Sequence, residues 1–116
     1  MSNKTVSTVS LYEGIKSLIG NDTAYGVGKF MGTGPSTAMR WRDNRNTMDD
    51  SYAVKAAEAL NLDTGFVLAC LAAERAGRMG KPDIMAVWQR IAHAMPHAAM
   101  LAISMLCIIP QIKSPV

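Results

Sequence analysis

Basic side chains are concentrated in one short part of the chain, which we call the basic window (residues 29–45). It contains Lys29, Arg40, Arg42 and Arg45 against a single acid, Asp43. Four basic residues minus one acid give +3, which equals the excess of the whole chain, 12 Lys and Arg minus 9 Asp and Glu. Guanidinium and ammonium groups bind phosphate oxygens. The window therefore indicates a polyanionic partner, and the alternative is an ordinary solvated face.

The centre of this window has the side chains that base recognition requires. A helix predicted over 35–43 would have Ser36, Met39 and Arg40 on one side, and Ala38 and Trp41 on the other. A short helix that projects from the body of a domain fits the major groove of DNA. Its outer hydroxyls and arginines can then contact phosphates and base edges. On this hypothesis Arg40 reads a base edge, and Lys29 and Arg42 contact phosphates.

The sequence gives little support for catalysis or metal binding. His93 and His97 have helical spacing, but Pro96 intervenes and no acidic third ligand is near. Asp49 and Asp50 are explained better as helix caps than as paired catalytic carboxylates. We therefore expect no enzyme, no metal and no cofactor. Cys70 and Cys107 are expected to be small core residues in a reducing compartment.

The composition predicts an all-α domain that positions this window. The chain has 116 residues, of which 49% are hydrophobic but only 6% aromatic, with nine Met. Such a composition favours helix over sheet, and the length allows one domain. Periodicity, caps and prolines predict helices over 7–20, 23–31, 35–43, 50–60, 64–76, 82–95 and 98–109.

Several details of these helices can be tested. Asp22 is expected to cap the second helix, and Gly77 to close the fifth. Gly26 and Gly28 each cost the second helix about 1 kcal/mol relative to Ala, which suggests either a close helix–helix approach or a loosely formed helix. Trp41 and Trp88 are both expected in the core. The predicted core consists of Leu11, Ile15, Leu18, Val27, Met31, Trp41, Ala56, Leu60, Val67 and Leu71.

The C-terminal part of the chain is almost uncharged. Beyond Ile91 the only charged side chain is Lys113, and the segment 98–109 is apolar on all sides. A helix of this kind must be covered, either by its own domain, by a second copy or by a membrane surface. We expect an extension over 82–110 and a homodimer interface within 84–109. The N-terminus lacks a signal sequence and no apolar run reaches 18 residues, so a cytoplasmic protein is expected.

The stretch from residue 11 to 71 resembles the Cro/C1-type helix-turn-helix family of phage repressors. Within it, the chain is most similar to a group of small phage and prophage proteins typical of filamentous phages, and this similarity reaches about residue 92. The residues that carry the resemblance are Leu11, Tyr12, Tyr25, Lys29, Gly32, Ser36, Thr37, Trp41, Arg42, Met48, Asp49, Asp50, Ala56, Ala57, Glu58, Ala59, Leu60, Leu62, Asp63, Val67, Leu68, Ala69 and Cys70.

The resemblance implies a five-helix, lambda-repressor-like domain over 7–76. It also implies a transcriptional repressor that binds operator DNA as a homodimer in the host bacterial cell. The implied DNA-binding residues are Lys29, Ser36, Thr37, Met39, Arg40, Arg42 and Arg45.

Two other functions remain open. The family usually has a bulky polar residue, leucine and alanine where this chain has Gly26, Val27 and Gly28, and polar side chains where it has Gly34 and Pro35. These departures favour a module that binds a host or phage protein on the same scaffold. The third hypothesis is a phage accessory protein that contacts a membrane through the apolar tail.

Overall fold

The computed structural model describes residues 5–95, and every regular element in that range is a helix. The all-α fold class is therefore confirmed. The six helices are α1 (Thr8–Ile19), α2 (Ala24–Met31), α3 (Pro35–Arg42), α4 (Asp50–Ala59), α5 (Thr64–Arg78) and α6 (Pro82–Ala94). The predicted helix over 98–109, His97 and Cys107 lie outside the described residues.

Local sequence signals account for most helix ends. Ser7 caps α1 in a reciprocal arrangement with Ser10, and Gly20 ends it in the left-handed region at φ 65°. The predicted cap of α2 was wrong by one residue, because Thr23 Oγ1 accepts from the Gly26 N–H at 3.0 Å. Asn21 explains the difference, since its Oδ1 accepts from both the Thr23 N–H and the Thr23 hydroxyl and so holds Thr23 in place.

The fifth helix is longer than predicted. It continues through Gly77 to Arg78, and Met79 is its C-cap. The left-handed glycine that follows is Gly80, at φ 71°. Gly77 is retained inside the helix because α6 packs against it: a Cβ there would lie 2.9 Å from Met85 Sδ. Close packing between the two helices therefore overrides the usual role of glycine as a stop signal.

One core joins α1 to α5. Nine of the ten predicted core residues belong to it or pack on it, including Leu60, which is partly buried. Leu18 was predicted wrongly and is 53% exposed. The buried face of α1 is centred on Leu11, Tyr12 and Ile15, so Leu18 falls at its edge in the last turn.

A second, smaller cluster joins α5 to α6. It contains Phe66, Ala69, Cys70 and Ala92, so the prediction that Cys70 is a core residue is confirmed. Burial raises the pKa of the Cys70 thiol, which keeps it protonated and unreactive. The prediction for Trp88 was wrong: it is 37% exposed on α6, whereas Trp41 is buried as predicted.

The Glu74 carboxylate connects three distant parts of the chain. Its Oε1 accepts from the Thr8 N–H at 2.9 Å, and its Oε2 accepts from the Thr8 and Thr47 hydroxyls at 2.8 and 2.9 Å. Arg78 lies 3.4 Å from the same oxygen. The carboxylate thus fastens the start of α1 and the loop after α3 to α5, and no sequence pattern indicated this connection.

Candidate nucleic-acid interface

The turn between α2 and α3 is compact and depends on two glycines. Gly32 ends α2 at φ 85°, and the Thr33 N–H donates to the Gly28 carbonyl at 2.8 Å. A Cβ on Gly28 would lie 2.9 Å from the backbone oxygen of Gly34. A close approach is therefore present at Gly28, but it is made by the backbone of the turn and not by a second helix, as the glycine pair had suggested.

Trp41 fixes the orientation of α3. It is 2% exposed, and its ring meets that of Tyr52 from α4 edge-on at 5.3 Å between centroids. Ala38, one turn earlier, is fully buried on the same side. The opposite side of α3 therefore points outward, and Ser36, Met39 and Arg40 are all exposed there, as the spacing predicted.

The start of α3 offers backbone donors rather than a side-chain cap. Gly34 occupies the N-cap without a capping hydrogen bond, and Pro35 is the first helical residue. The N–H groups of Ser36 and Thr37 have no partner within the helix, because the first turn of any helix leaves its donors unpaired. Ser36 is exposed and Thr37 is half-buried beside it. This end of α3 favours an anionic neighbour.

Three arginines lie at the end of α3 or just after it, and they differ in their hydrogen-bond and ion-pair partners. Arg42 forms a two-pronged pair with Asp43, with Nε to Oδ1 at 2.8 Å and Nη2 to Oδ2 at 3.1 Å. This pairing lowers the pKa of Asp43 and raises that of Arg42. Arg40 Nε donates to the side-chain oxygen of Asn46 at 3.1 Å. The Arg45 N–H donates to the Arg40 carbonyl. Of these three arginines, only Arg42 forms an ion pair with a carboxylate in the described part of the chain.

Two lysines lie at the other end of α3, beside the α2–α3 turn. Lys29 Nζ is 5.9 Å from the centroid of the exposed Tyr25 ring. Lys55 Nζ, from α4, is 5.8 Å from the Phe30 ring, and a Cβ on Gly32 would lie 3.8 Å from it. Sequence reasoning missed Lys55. The spacing of apolar residues in α4 indicates that the Lys55 side chain points outward, but it does not show that this side chain lies beside the α2–α3 turn.

The predicted site residues thus form two groups. Arg40, Arg42 and Arg45 surround the end of α3, whereas Lys29 lies at the turn that precedes its start. Ser36, Thr37 and Met39 lie between the groups, on α3 itself. Six of the seven predicted residues are exposed and Thr37 is half-buried.

Two features that would indicate other kinds of site are absent from residues 5–95. That range holds no group of three His, Cys, Asp or Glu side chains arranged to bind a metal ion. None of its helices has the length and apolar character needed to cross a bilayer. Comparison with models of protein families, with curated proteins and with solved structures finds no match to this chain.

Proposed function

We propose that the protein is a phage-type transcriptional regulator whose α3 helix reads the major groove of DNA. The observation that carries the proposal is the outward face of α3, where Ser36, Met39 and Arg40 project from a helix anchored by Trp41. A tight turn joins α3 to α2, in the order expected of a helix-turn-helix unit. The five helices α1–α5 would form the lambda-repressor-like domain.

The dimensions of the surface support this function. An α-helix with its side chains is about 10–12 Å across, which is close to the width of about 12 Å of the major groove. Basic side chains lie at both ends of α3, so they are placed to contact the phosphates that border the groove. The donors at the start of α3 add a neutral phosphate contact of the kind common at helix N-termini.

The residues take different roles in this proposal. Arg40 donates to a base edge, because it shares a side of α3 with Ser36 and Met39. Lys29 and Arg45 contact phosphates. Arg42 also contacts a phosphate, but its pairing with Asp43 means that it gains less than a free arginine would. The regulator acts as a homodimer on an operator, with the interface within 84–109.

Fluorescence anisotropy tests this proposal directly. The full chain is titrated into labelled duplex DNA from upstream of its own gene and into an unrelated duplex, at two salt concentrations. We expect micromolar or tighter binding at low salt, a preference for the upstream duplex and weaker binding at higher salt. Arg90→Ala removes the same charge from an exposed position on α6, outside the basic window, and it is the matched control once its mass in solution is shown to equal that of the wild type. Absence of binding at low salt would overturn the proposal.

A second candidate function is a module that binds an acidic protein. Tyr25 is 61% exposed and Phe30 37% exposed, each beneath a lysine, and exposed aromatic and basic side chains are common in protein interfaces. The α3 helix also starts with Gly34 and Pro35, neither of which has a polar side chain. Without DNA affinity, the same basic surface would be assigned to such a partner.

A further inference from the structure

The α6 helix has a wide apolar side, and α5 covers only part of it. Met85 and Ala92 face α5, where Met85 packs against Gly77 and Ala92 is 2% exposed. Beside them lies the apolar stripe of α6, formed by Ile84, Val87, Trp88 and Ile91, with exposures between 37 and 44%. These four positions have the i, i+3, i+4, i+7 spacing of one continuous helix face.

The remaining side of α6 is polar, so the stripe is a defined surface. Asp83, Arg90 and His93 lie on that side and are exposed. The stripe also continues into a groove between α5 and α6, lined by Ala76, Met79, Ile84 and Trp88 among others. Contiguous exposed apolar side chains of this kind mark a docking surface.

The stripe alone is too small to hold two copies together. Four partly covered side chains offer at most a few hundred square ångströms, whereas a stable interface buries about 800 Å² on each partner. An occupant tethered to the same chain needs no such area, because a short linker gives it a high effective concentration.

The chain supplies a suitable occupant immediately after α6. Only residues 96 and 97 separate the last described residue, Met95, from the apolar segment 98–109. Two consecutive helices joined by so short a connection run antiparallel and side by side. As a helix, the segment would be about 18 Å long and α6 is about 20 Å long, so the two lengths match.

We propose that segment 98–109 packs as an antiparallel helix against the apolar stripe of α6 in the same chain. The two-residue connection sets the register and places Cys107 level with the first half of α6, near Val87. The segment is apolar on all sides, so its outer side remains for the homodimer interface. The proposal does not depend on DNA binding.

Chemical crosslinking tests both the contact and its register. The variant Val87→Cys places a thiol on the stripe, and native Cys107 provides the second thiol. A short bismaleimide should join them within one chain, which adds a single linker to the monomer mass. Cys70 contributes little background, because it is buried in the α5–α6 cluster. Val87→Cys combined with Cys107→Ser should abolish the crosslink.

Ala86→Cys is the matched position control, since residue 86 adjoins Val87 along α6 but lies on the side of the helix away from the stripe. A yield several-fold lower than that of Val87→Cys is expected. Crosslinks between chains would instead identify a second copy as the occupant and overturn the proposal. Equal yields for Val87→Cys and Ala86→Cys would overturn it as well.

Acrylamide quenching of the unmodified protein gives an independent measurement. Trp41 is buried in the core and Trp88 lies on the stripe. If the segment covers the stripe, both tryptophans are shielded, and Trp88→Phe lowers the intensity without changing the quenching constant. A readily quenched component that Trp88→Phe removes would contradict the proposal.

Discussion

At the scale of single residues, the basic side chains around α3 separate into paired and unpaired groups. Arg42 is held by Asp43, whereas Arg40 and Lys29 face solvent with no acidic partner among the described residues. A sequence gives charge but not pairing, so it does not show that Arg42 is less available than Arg40 or Lys29. Arg40 and Lys29 differ instead in position, because Arg40 lies on the outward side of α3 and Lys29 lies at the end of α2.

Under the proposed function, Arg40→Ala should weaken binding to the preferred duplex by about 1–3 kcal/mol and relax the preference at one base pair, because it would remove a base contact. Lys29→Ala should weaken binding to all duplexes alike and reduce the salt slope by about one unit, because it removes a phosphate contact. Anisotropy titrations at several salt concentrations distinguish the two, with Arg90→Ala as control. Equal loss of sequence preference in both variants would contradict the assigned roles.

The two glycines of α2 should respond differently to alanine. Gly28→Ala brings a Cβ to 2.9 Å from the Gly34 carbonyl oxygen and 3.0 Å from that of Thr33, and neither backbone group can move away freely. We expect a loss of about 1–3 kcal/mol in the free energy of unfolding.

In Gly26→Ala the atoms nearest the new Cβ belong to the side chain of Asn21. Moving that side chain breaks its hydrogen bonds to Thr23 but displaces no backbone group, and the gain in helix propensity of about 1 kcal/mol offsets part of the cost. Urea denaturation of both variants measures the difference. A larger loss for Gly26→Ala than for Gly28→Ala would show that the turn adjusts more easily than its geometry indicates.

At the scale of elements, local patterns predicted the helices well. Ser7, Gly20, Pro35 and Pro82 mark helix ends through their own backbone or capping chemistry, and all four lie where the sequence placed them. The errors at Leu18, Gly77 and Trp88 have another origin, because each depends on how one helix packs against the rest of the fold. The spacing within a helix defines its apolar side but not how much of that side a neighbour covers.

Arg78 of α5 binds the loop between α3 and α4 at two residues, in addition to the hydrogen bond between Thr47 and Glu74. Arg78 Nε donates to Thr47 Oγ1 at 2.9 Å, and Nη2 donates to Asn44 Oδ1 at 2.7 Å. Arg78→Ala should cost about 1 kcal/mol and increase amide hydrogen exchange within residues 44–47. Arg78→Lys should restore only part of the protection against hydrogen exchange, because a single ammonium group cannot reproduce the two hydrogen bonds that the guanidinium makes through Nε and Nη2. Unchanged exchange in both variants would show that Glu74 alone holds the loop.

At the scale of the whole molecule, a buried hydroxyl makes stability depend on alkaline pH. Tyr12 is 1% exposed and its hydroxyl has no hydrogen-bond partner among the described residues. Burial raises the pKa of Tyr12 above its ordinary value of 10.0. The unfolded chain therefore loses this proton near pH 10, whereas the folded chain keeps it to higher pH. The free energy of unfolding falls as the pH rises above 10.

Tyr12→Phe removes both the unpaired hydroxyl and the titration. We expect it to raise the free energy of unfolding by about 1 kcal/mol at neutral pH, and to reduce the loss of stability above pH 10. Urea titrations of both proteins between pH 7 and 11 provide the comparison. The other tyrosines and the lysines are the same in both proteins, so their titration contributes equally to both and cancels in the difference. Lower stability of the variant at neutral pH would indicate that the hydroxyl has a partner in solution.

The Glu74 carboxylate has a consequence for the order in which the chain folds. Its bonds to Thr8 join residues 66 positions apart, and such contacts form late because closing a long loop costs chain entropy. In stopped-flow experiments, Glu74→Gln should therefore accelerate unfolding and leave the folding rate almost unchanged. The hydrogen bonds between α1 and α5 would then determine the unfolding rate, and so the lifetime of the native state, whereas contacts within the local helices determine the folding rate.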